Sequence, residues 1–321
     1  MVSLGTIRAG WGSASTVAES FVVTENERIR SFLDGTSIET LPAVAAKTDC
    51  FRALVPQGTA VYIACIPGTD PNAMIATARR LSDEGLVPVP HLPSRGFESL
   101  VEFERYLGRL VEEAGVTRVL ALGGDADRPA GPFTETMDML RTGLFQRFGI
   151  GRIGVAGHPD GNRAIPANIV ARALADKQAF ADETGIDVHI VTQFSFDPDR
   201  IVAWDRSLRA SGIRLPIHIG MAGPAKLQSL IKYAAMCGVA TSARMFSKQA
   251  FNLARMASVS APDQMTRALA TYRAEDPDAG IVGAHLFTFG GLRRAADWLE
   301  AARAGEFSLT RDGFTVERSL G

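Results

Sequence analysis

Eight short apolar runs in this chain each stop at a polar or glycine-rich cluster and are followed by a helical stretch. This alternation constrains the fold more than any other feature. The runs end at Glu39, Cys65, His91, Asp125, His158, Gln193, His218 and Thr288. Most are nearly continuous in Val, Ile, Leu and Ala, the pattern of parallel strands covered on both faces. Eight such units in succession predict an α/β fold, a (β/α)8 TIM barrel, whose strand ends surround one cavity. All five histidines (His91, His158, His189, His218 and His285) lie in or at the end of these runs and point to a shared site.

The strands are expected at 36–39, 60–65, 87–92, 118–122, 152–156, 187–196, 215–221 and 283–289. Amphipathic helices are expected between them, at 71–84, 98–114, 198–211 and 224–237, with another at 25–33 ahead of the barrel. The helices at 198 and 224 open with proline, which suits a first helical turn. Asp70 and Asp197 precede prolines as N-caps. Gly85, Gly115, Gly149, Gly185, Gly212 and Gly238 stand where left-handed caps end helices. The segment 241–279 breaks the rhythm as extra helices before the last strand. The chain then divides into an N-terminal extension (1–34), the barrel (35–304) and a polar tail (305–321), which reads as a hairpin or as disorder.

Bulk properties exclude several classes. The formal charge is −1, from 34 basic and 35 acidic residues. No basic face is built for nucleic acid or a membrane surface. No apolar stretch approaches the roughly 20 residues of a membrane span. No charged start followed by an apolar core marks a secretion signal. The three cysteines are widely spaced, as reduced thiols of a cytoplasmic protein would be. The apolar face of 241–279 leaves a homo-oligomer open.

The strand ends carry the candidate chemistry. Glu39 ends the first run between Ile38 and Leu41. A carboxyl in an apolar barrel mouth suits general-acid work, and a structural carboxylate bonded to backbone N–H groups is the plainer alternative. Asp125 follows Gly123 and Gly124, whose lack of side chains would admit a bulky ligand. The alternative is a tight turn, with Asp125 capping a helix near Gly131. The glycine-rich stretch 154–162 holds His158 and fits neither the dinucleotide nor the P-loop spacing. Gln193 offers an amide that donates and accepts, as the edge of a pterin, purine or flavin requires. Phe194 or Phe196 would stack on such a ring or pack the barrel. Lys177 is a phosphate ligand or an ordinary solvated lysine. A metal held by His91 and His218 is a further alternative, that of a barrel hydrolase or lyase.

Taken in order, these segments resemble the methylenetetrahydrofolate reductase family. They are Ser37-Ile38-Glu39, Pro90-His91-Leu92, Ala121-Leu122-Gly123-Gly124-Asp125, Gly154-Val155-Ala156-Gly157-His158-Pro159-Asp160, Val191-Thr192-Gln193-Phe194-Ser195-Phe196-Asp197, Ile217-His218-Ile219-Gly220 and His285-Leu286-Phe287-Thr288. The resemblance implies a FAD-containing barrel of one-carbon metabolism that reduces 5,10-methylene-tetrahydrofolate to 5-methyl-tetrahydrofolate with NADH or NADPH. It implies Glu39 as the acid that opens the imidazolidine ring, and Asp125 between flavin and pterin. Gln193 would hold the pterin edge, with Phe196 beside the substrate. His91, Gly123, Gly124 and His158 would line the flavin, and Lys177 would stand near its phosphates.

The chain also departs from the family pattern. Gly123 stands where the family has arginine, Ala64 and Cys65 where it has threonine and tyrosine, and Phe289, Gly290 and Gly291 after the last strand where it has leucine, asparagine and arginine. These departures leave a second reading. It is a flavin-free folate-binding relative: a methyltransferase, a flavin-independent reductase or a non-catalytic folate-binding subunit.

Overall fold

The structure, a computed structural model, describes residues 23–239 and 258–320. Eight parallel strands close into a barrel. They are β1 (Ser37–Thr40), β2 (Ala60–Ile63), β3 (Val87–Pro93), β4 (Arg118–Leu122), β5 (Arg152–Gly157), β6 (Asp187–Thr192), β7 (Ile217–Ala222) and, after two short strands, β10 (Ile281–Phe287). Neighbours in sequence are neighbours in the barrel, and β1 closes it against β10. All eight expected strands are present, with ends displaced by a few residues. The largest displacement is in β6, which stops at Thr192 and leaves Gln193–Phe196 in the connection.

The helices follow local chemistry closely. Helix α1 (Glu25–Leu33) opens with a capping box between Thr24 and Glu27. It packs on β10 and on two later helices. After a single turn, α2 (Pro42–Ala45), comes α3 (Pro71–Asp83), whose Asp70 cap accepts from Asn72 N–H. Helix α4 (Leu100–Ala114) is capped by Ser99 and ended by Gly115 at φ +63°. Two short helices, α5 (Thr136–Leu140) and α6 (Leu144–Arg147), fill the β4–β5 crossover. Then come α7 (Ala167–Thr184) and α8 (Pro198–Ala210), the latter capped by Asp197. All six glycines expected to end helices have positive φ.

One helix starts later than its sequence suggests. Helix α9 runs Leu227–Met236, not from Pro224. Ala225–Lys226 instead forms β8, antiparallel to β9 (Val259–Ser260). A proline compatible with a first helical turn is equally compatible with a strand edge, and the partner that decides lies far along the chain. Of the extra helices expected in 241–279, α10 (Asp263–Glu275) is present. Residues 240–257 lie outside the described residues. Helix α11 (Leu292–Ala304) completes the barrel, and the tail is a hairpin of β11 (Phe307–Leu309) and β12 (Phe314–Val316). No helix among the described residues is long and apolar enough to cross a membrane.

The main core lies between sheet and helices. The barrel interior is filled separately, by Tyr62, Val89, Leu120 and Val191. Gly154 belongs to this interior. A Cβ there would lie 2.9 Å from Leu120 Cδ1 and 3.2 Å from His189 Nε2, so its absence makes room for an inward histidine.

Candidate active site

Alternate side chains of each strand point into the barrel, and His91, His189, His218 and His285 fall on that alternation at two levels, while His158 follows the end of β5. His189 is the third residue of β6 and His218 the second of β7, and both sit near the base. Strand β7 continues to Ala222, so His218 does not end its run at the mouth as expected. The two rings lie 5.3 Å apart. Arg152 Nε donates to His189 Nδ1 at 3.4 Å, and Arg152 Nη2 lies 3.4 Å from His218 Nε2. Asp187 balances this arginine at 3.4 Å. With Nδ1 accepting, His189 carries its proton on Nε2, which faces the Tyr62 hydroxyl at 3.0 Å. Burial holds His218 at a pKa of about 4 and His189 well below its ordinary value, and the charges of Arg152 and Arg118 add to the shift of His189, so both rings are neutral here.

The upper level contains Glu39. Its Oε2 lies 3.4 Å from His91 Nε2 and 3.6 Å from His285 Nε2. The expected apolar setting for this carboxyl is corrected here: two imidazole edges flank it. Each contact has a local cause. The β1–β10 register sets Ser37 opposite His285, and Ser37 Oγ meets His285 Nδ1 at 2.9 Å. The Tyr62 ring packs on His285 with centroids 4.5 Å apart. Thr288 Oγ1 donates to Glu39 O at 2.9 Å and ties the first strand to the last. His91 Nε2 is buried without a hydrogen-bond partner among the described residues. Burial lowers His91 to about 4, with Glu39 opposing the shift and His285 adding to it.

His91 and His218 thus belong to different contact sets, which removes the geometric basis for a metal shared between them. Among the described residues no group of three or more His, Cys, Asp or Glu side chains is arranged to hold a metal ion.

Two cavities open at the C-terminal ends of the strands, the first reached from Glu39 through His91. The outer one, about 420 Å³, lies between the ends of β2, β3 and β4 and helix α4; His91, Cys65, Tyr106 and Asp125 are among its walls. The inner one, about 190 Å³, lies behind β4 and β5 and is lined by Gly123, His158 and Lys177. Arg95 and Gly124 line both and mark where the two meet.

The expected site residues therefore separate into groups. Glu39, His91 and Asp125 lie at the mouth and outer cavity, with Asp125 exposed. It caps no helix: α5 begins eleven positions on, with Glu135 as its cap. Gly123, Gly124, His158 and Lys177 lie together at the inner cavity. Lys177 is 6% exposed, which overturns the solvated-lysine alternative. Burial lowers its ammonium to about 8 and, together with Lys177, lowers His158.

Gln193 follows β6, its Oε1 accepting from Phe194 N–H at 3.1 Å. Phe194 is fully buried against Phe196, Phe287 and Phe289, so packing is its role, while Phe196 remains half-buried at the edge of that cluster. The sequence reading missed Tyr62, Arg95 and Cys237 as site residues. Tyr62 was signalled by its inward parity. Cys237, just past the end of α9, has its thiol pushed up by partial burial and by the charges of Asp125 and Glu39.

Comparison with known proteins agrees with this geometry. The profile of the family described as methylenetetrahydrofolate reductase matches residues 54–252. A curated relative, Methylenetetrahydrofolate reductase 1 of Schizosaccharomyces pombe, is 34% identical over 136 residues. The match covers 40% of this chain and 21% of that relative, so it spans about a fifth of the relative's length. With the profile covering more than half of the sequence, the chain belongs to the methylenetetrahydrofolate reductase family.

Proposed function

We propose that this chain is a reductase of 5,10-methylene-tetrahydrofolate, forming 5-methyl-tetrahydrofolate with electrons from NADH or NADPH through FAD. The observation that carries the reading is Glu39, held between two imidazole nitrogens at the mouth of a closed parallel barrel. Family membership supplies the reaction class. The three free cysteines support a cytoplasmic setting.

The residues present fit a flavin dinucleotide. The outer cavity has apolar walls for a planar ring, and it meets at Arg95 and Gly124 an inner cavity holding a buried ammonium with no ion pair among the described residues. His91, Gly123, Gly124, Asp125, His158 and Lys177 would hold the cofactor. Bound there, a flavin supplies hydride transfer between nicotinamide and folate. The chain's own residues do the rest. Glu39 gives a proton to the substrate nitrogen as the imidazolidine ring opens. His91 and His285, both facing its Oε2, hold the carboxyl in position. Asp125 fixes charge beside the pterin, and the Gln193 amide nitrogen, with Phe196, orients its edge.

A flavin-free folate enzyme or binder is the second reading, favoured by Ala64 and Cys65 at the end of β2, neither of which carries the hydroxyl of the family pattern. The deciding experiment is the absorbance spectrum of the purified protein from 300 to 550 nm, before and after addition of excess FAD and desalting. Retained flavin bands, and folate-dependent reoxidation of the reduced protein, are expected. A colourless protein that binds tetrahydrofolate would replace the first reading with the second.

A further inference from the structure

Arg95 lies in the short turn Ser94–Gly96 that follows β3. Its backbone is pinned to the end of the next strand: Arg95 N donates to Gly123 O at 3.1 Å, and Ala130 N donates to Arg95 O at 2.9 Å. Its guanidinium is held by neutral carbonyls only, Nε to Thr134 O at 2.9 Å and Nη1 to Ala126 O at 3.3 Å. Nη2 has no hydrogen-bond partner among the described residues, and no carboxylate there forms an ion pair with it. The fork is thus fixed in direction and still carries its whole charge, facing the junction of the two cavities.

The inner cavity holds a second uncompensated cation. Lys177 is buried, and its Nζ makes no hydrogen bond or ion pair among the described residues; Glu135 and Asp176 act on it only at a distance. Arg95 and Lys177 share this small cavity with one carboxylate, Glu135, which leaves a net positive lining that is costly in the empty protein. An anion bridging the two cations offsets that cost. The main chain is open on this side as well: a Cβ on Gly123 would meet no atom within 4 Å.

We propose that Arg95, together with Lys177, holds the phosphates of a nucleotide where it passes over Gly123 from the outer to the inner cavity. The identity of that nucleotide as a flavin rests on the function proposed above; the anion site itself does not. A planar fork with a free edge suits two phosphate oxygens at once, and a second cation suits a diphosphate better than a single phosphate.

The test is binding of FAD, riboflavin and ADP to the full chain, followed by calorimetry, in wild type, Arg95→Gln, Arg95→Lys and Lys177→Met. Arg95→Gln is expected to weaken FAD and ADP by ~10- to 100-fold, the scale of a charged hydrogen bond, with riboflavin unchanged and Arg95→Lys intermediate. Equal ADP affinity in wild type and Arg95→Gln would overturn the proposal. So would a parallel loss of riboflavin, since the arginine would then act through the turn. Should Arg95→Gln fail to fold, Lys177→Met carries the same expectation. ADP binding that depends on Arg95 in a chain that retains no flavin would sink the flavin reading and leave this site standing. A wild-type chain that binds neither ADP nor FAD overturns it.

Discussion

Glu39 has two imidazole nitrogens within 3.6 Å and a main chain fixed by Thr288, so removing its acidity should alter catalysis and little else. Glu39→Gln is expected to fold normally and to slow folate reduction by roughly 10²-fold or more; turnover at the wild-type rate would remove Glu39 from the mechanism. The adjacent glycines make a contrasting pair. Gly123 has open space where a Cβ would go, whereas Gly124 has φ +85° and would bring a Cβ within 2.9 Å of Pro93 Cβ. Gly123→Ala should therefore keep its melting temperature and lose cofactor affinity. Gly124→Ala should lose stability by about 1 kcal/mol or more. Thermal melts beside flavin titrations separate the two, and a destabilised Gly123→Ala would refute the open-face reading. Lys177→Met should run the opposite way: without its buried charge the apoprotein gains up to ~3 kcal/mol, the equivalent of lowering the ammonium from 10.5 to about 8. An unchanged urea midpoint would show that the charge is already compensated.

At the scale of elements, α4 forms one wall of the outer cavity through Tyr106 and depends on its Ser99 cap, which accepts from Glu102 N–H at 3.1 Å. Ser99→Ala is expected to cost about 1 kcal/mol, read as a lower chemical-denaturation midpoint; an unchanged midpoint would show that the cap contributes nothing. Elements of this kind were legible in the sequence because their signals are local. Asp70, Asp197 and the capping glycines act within a few residues of themselves, and the apolar strands announce two-sided burial. What escaped notice depends on distant partners. Pro224 and Ala225 read as a helix start until Ser260 pairs with the strand they enter. Lys177 reads as solvated until the cavity behind β4 and β5 encloses it. The short α5 and α6 are too brief to show a period. For the site, Glu39, His91 and Asp125 were visible as polar ends of apolar runs. Arg95 was not, because it lies two residues past a strand in a turn whose direction is set by Gly123 O and Ala130 N.

Across the whole molecule, buried neutral histidines tie stability to pH. His91 and His218 titrate at about 4 in the folded chain, against an ordinary value of 6.5, because burial disfavours their charged forms. Below about pH 6.5 the unfolded chain takes up protons that the folded barrel refuses. Stability is therefore full above that pH and declines as pH falls toward 4, by at most ~3 kcal/mol per histidine. Urea midpoints measured from pH 8 to pH 4.5 should fall through this window, and more steeply in wild type than in His218→Gln. A flat profile would mean that water reaches these rings.

The Ser37–His285 pair joins residues 248 positions apart, across the seam where the first strand meets the last. Glu39 leaves the ribosome early, but the imidazole and hydroxyl that fix it arrive only with β10 and Thr288. A nascent chain can thus display its acid for most of its synthesis without owning an assembled active site. Under the proposed role of Glu39, chemistry would begin only when the two ends of the barrel meet, and the onset of activity during translation would itself report that the ring has closed.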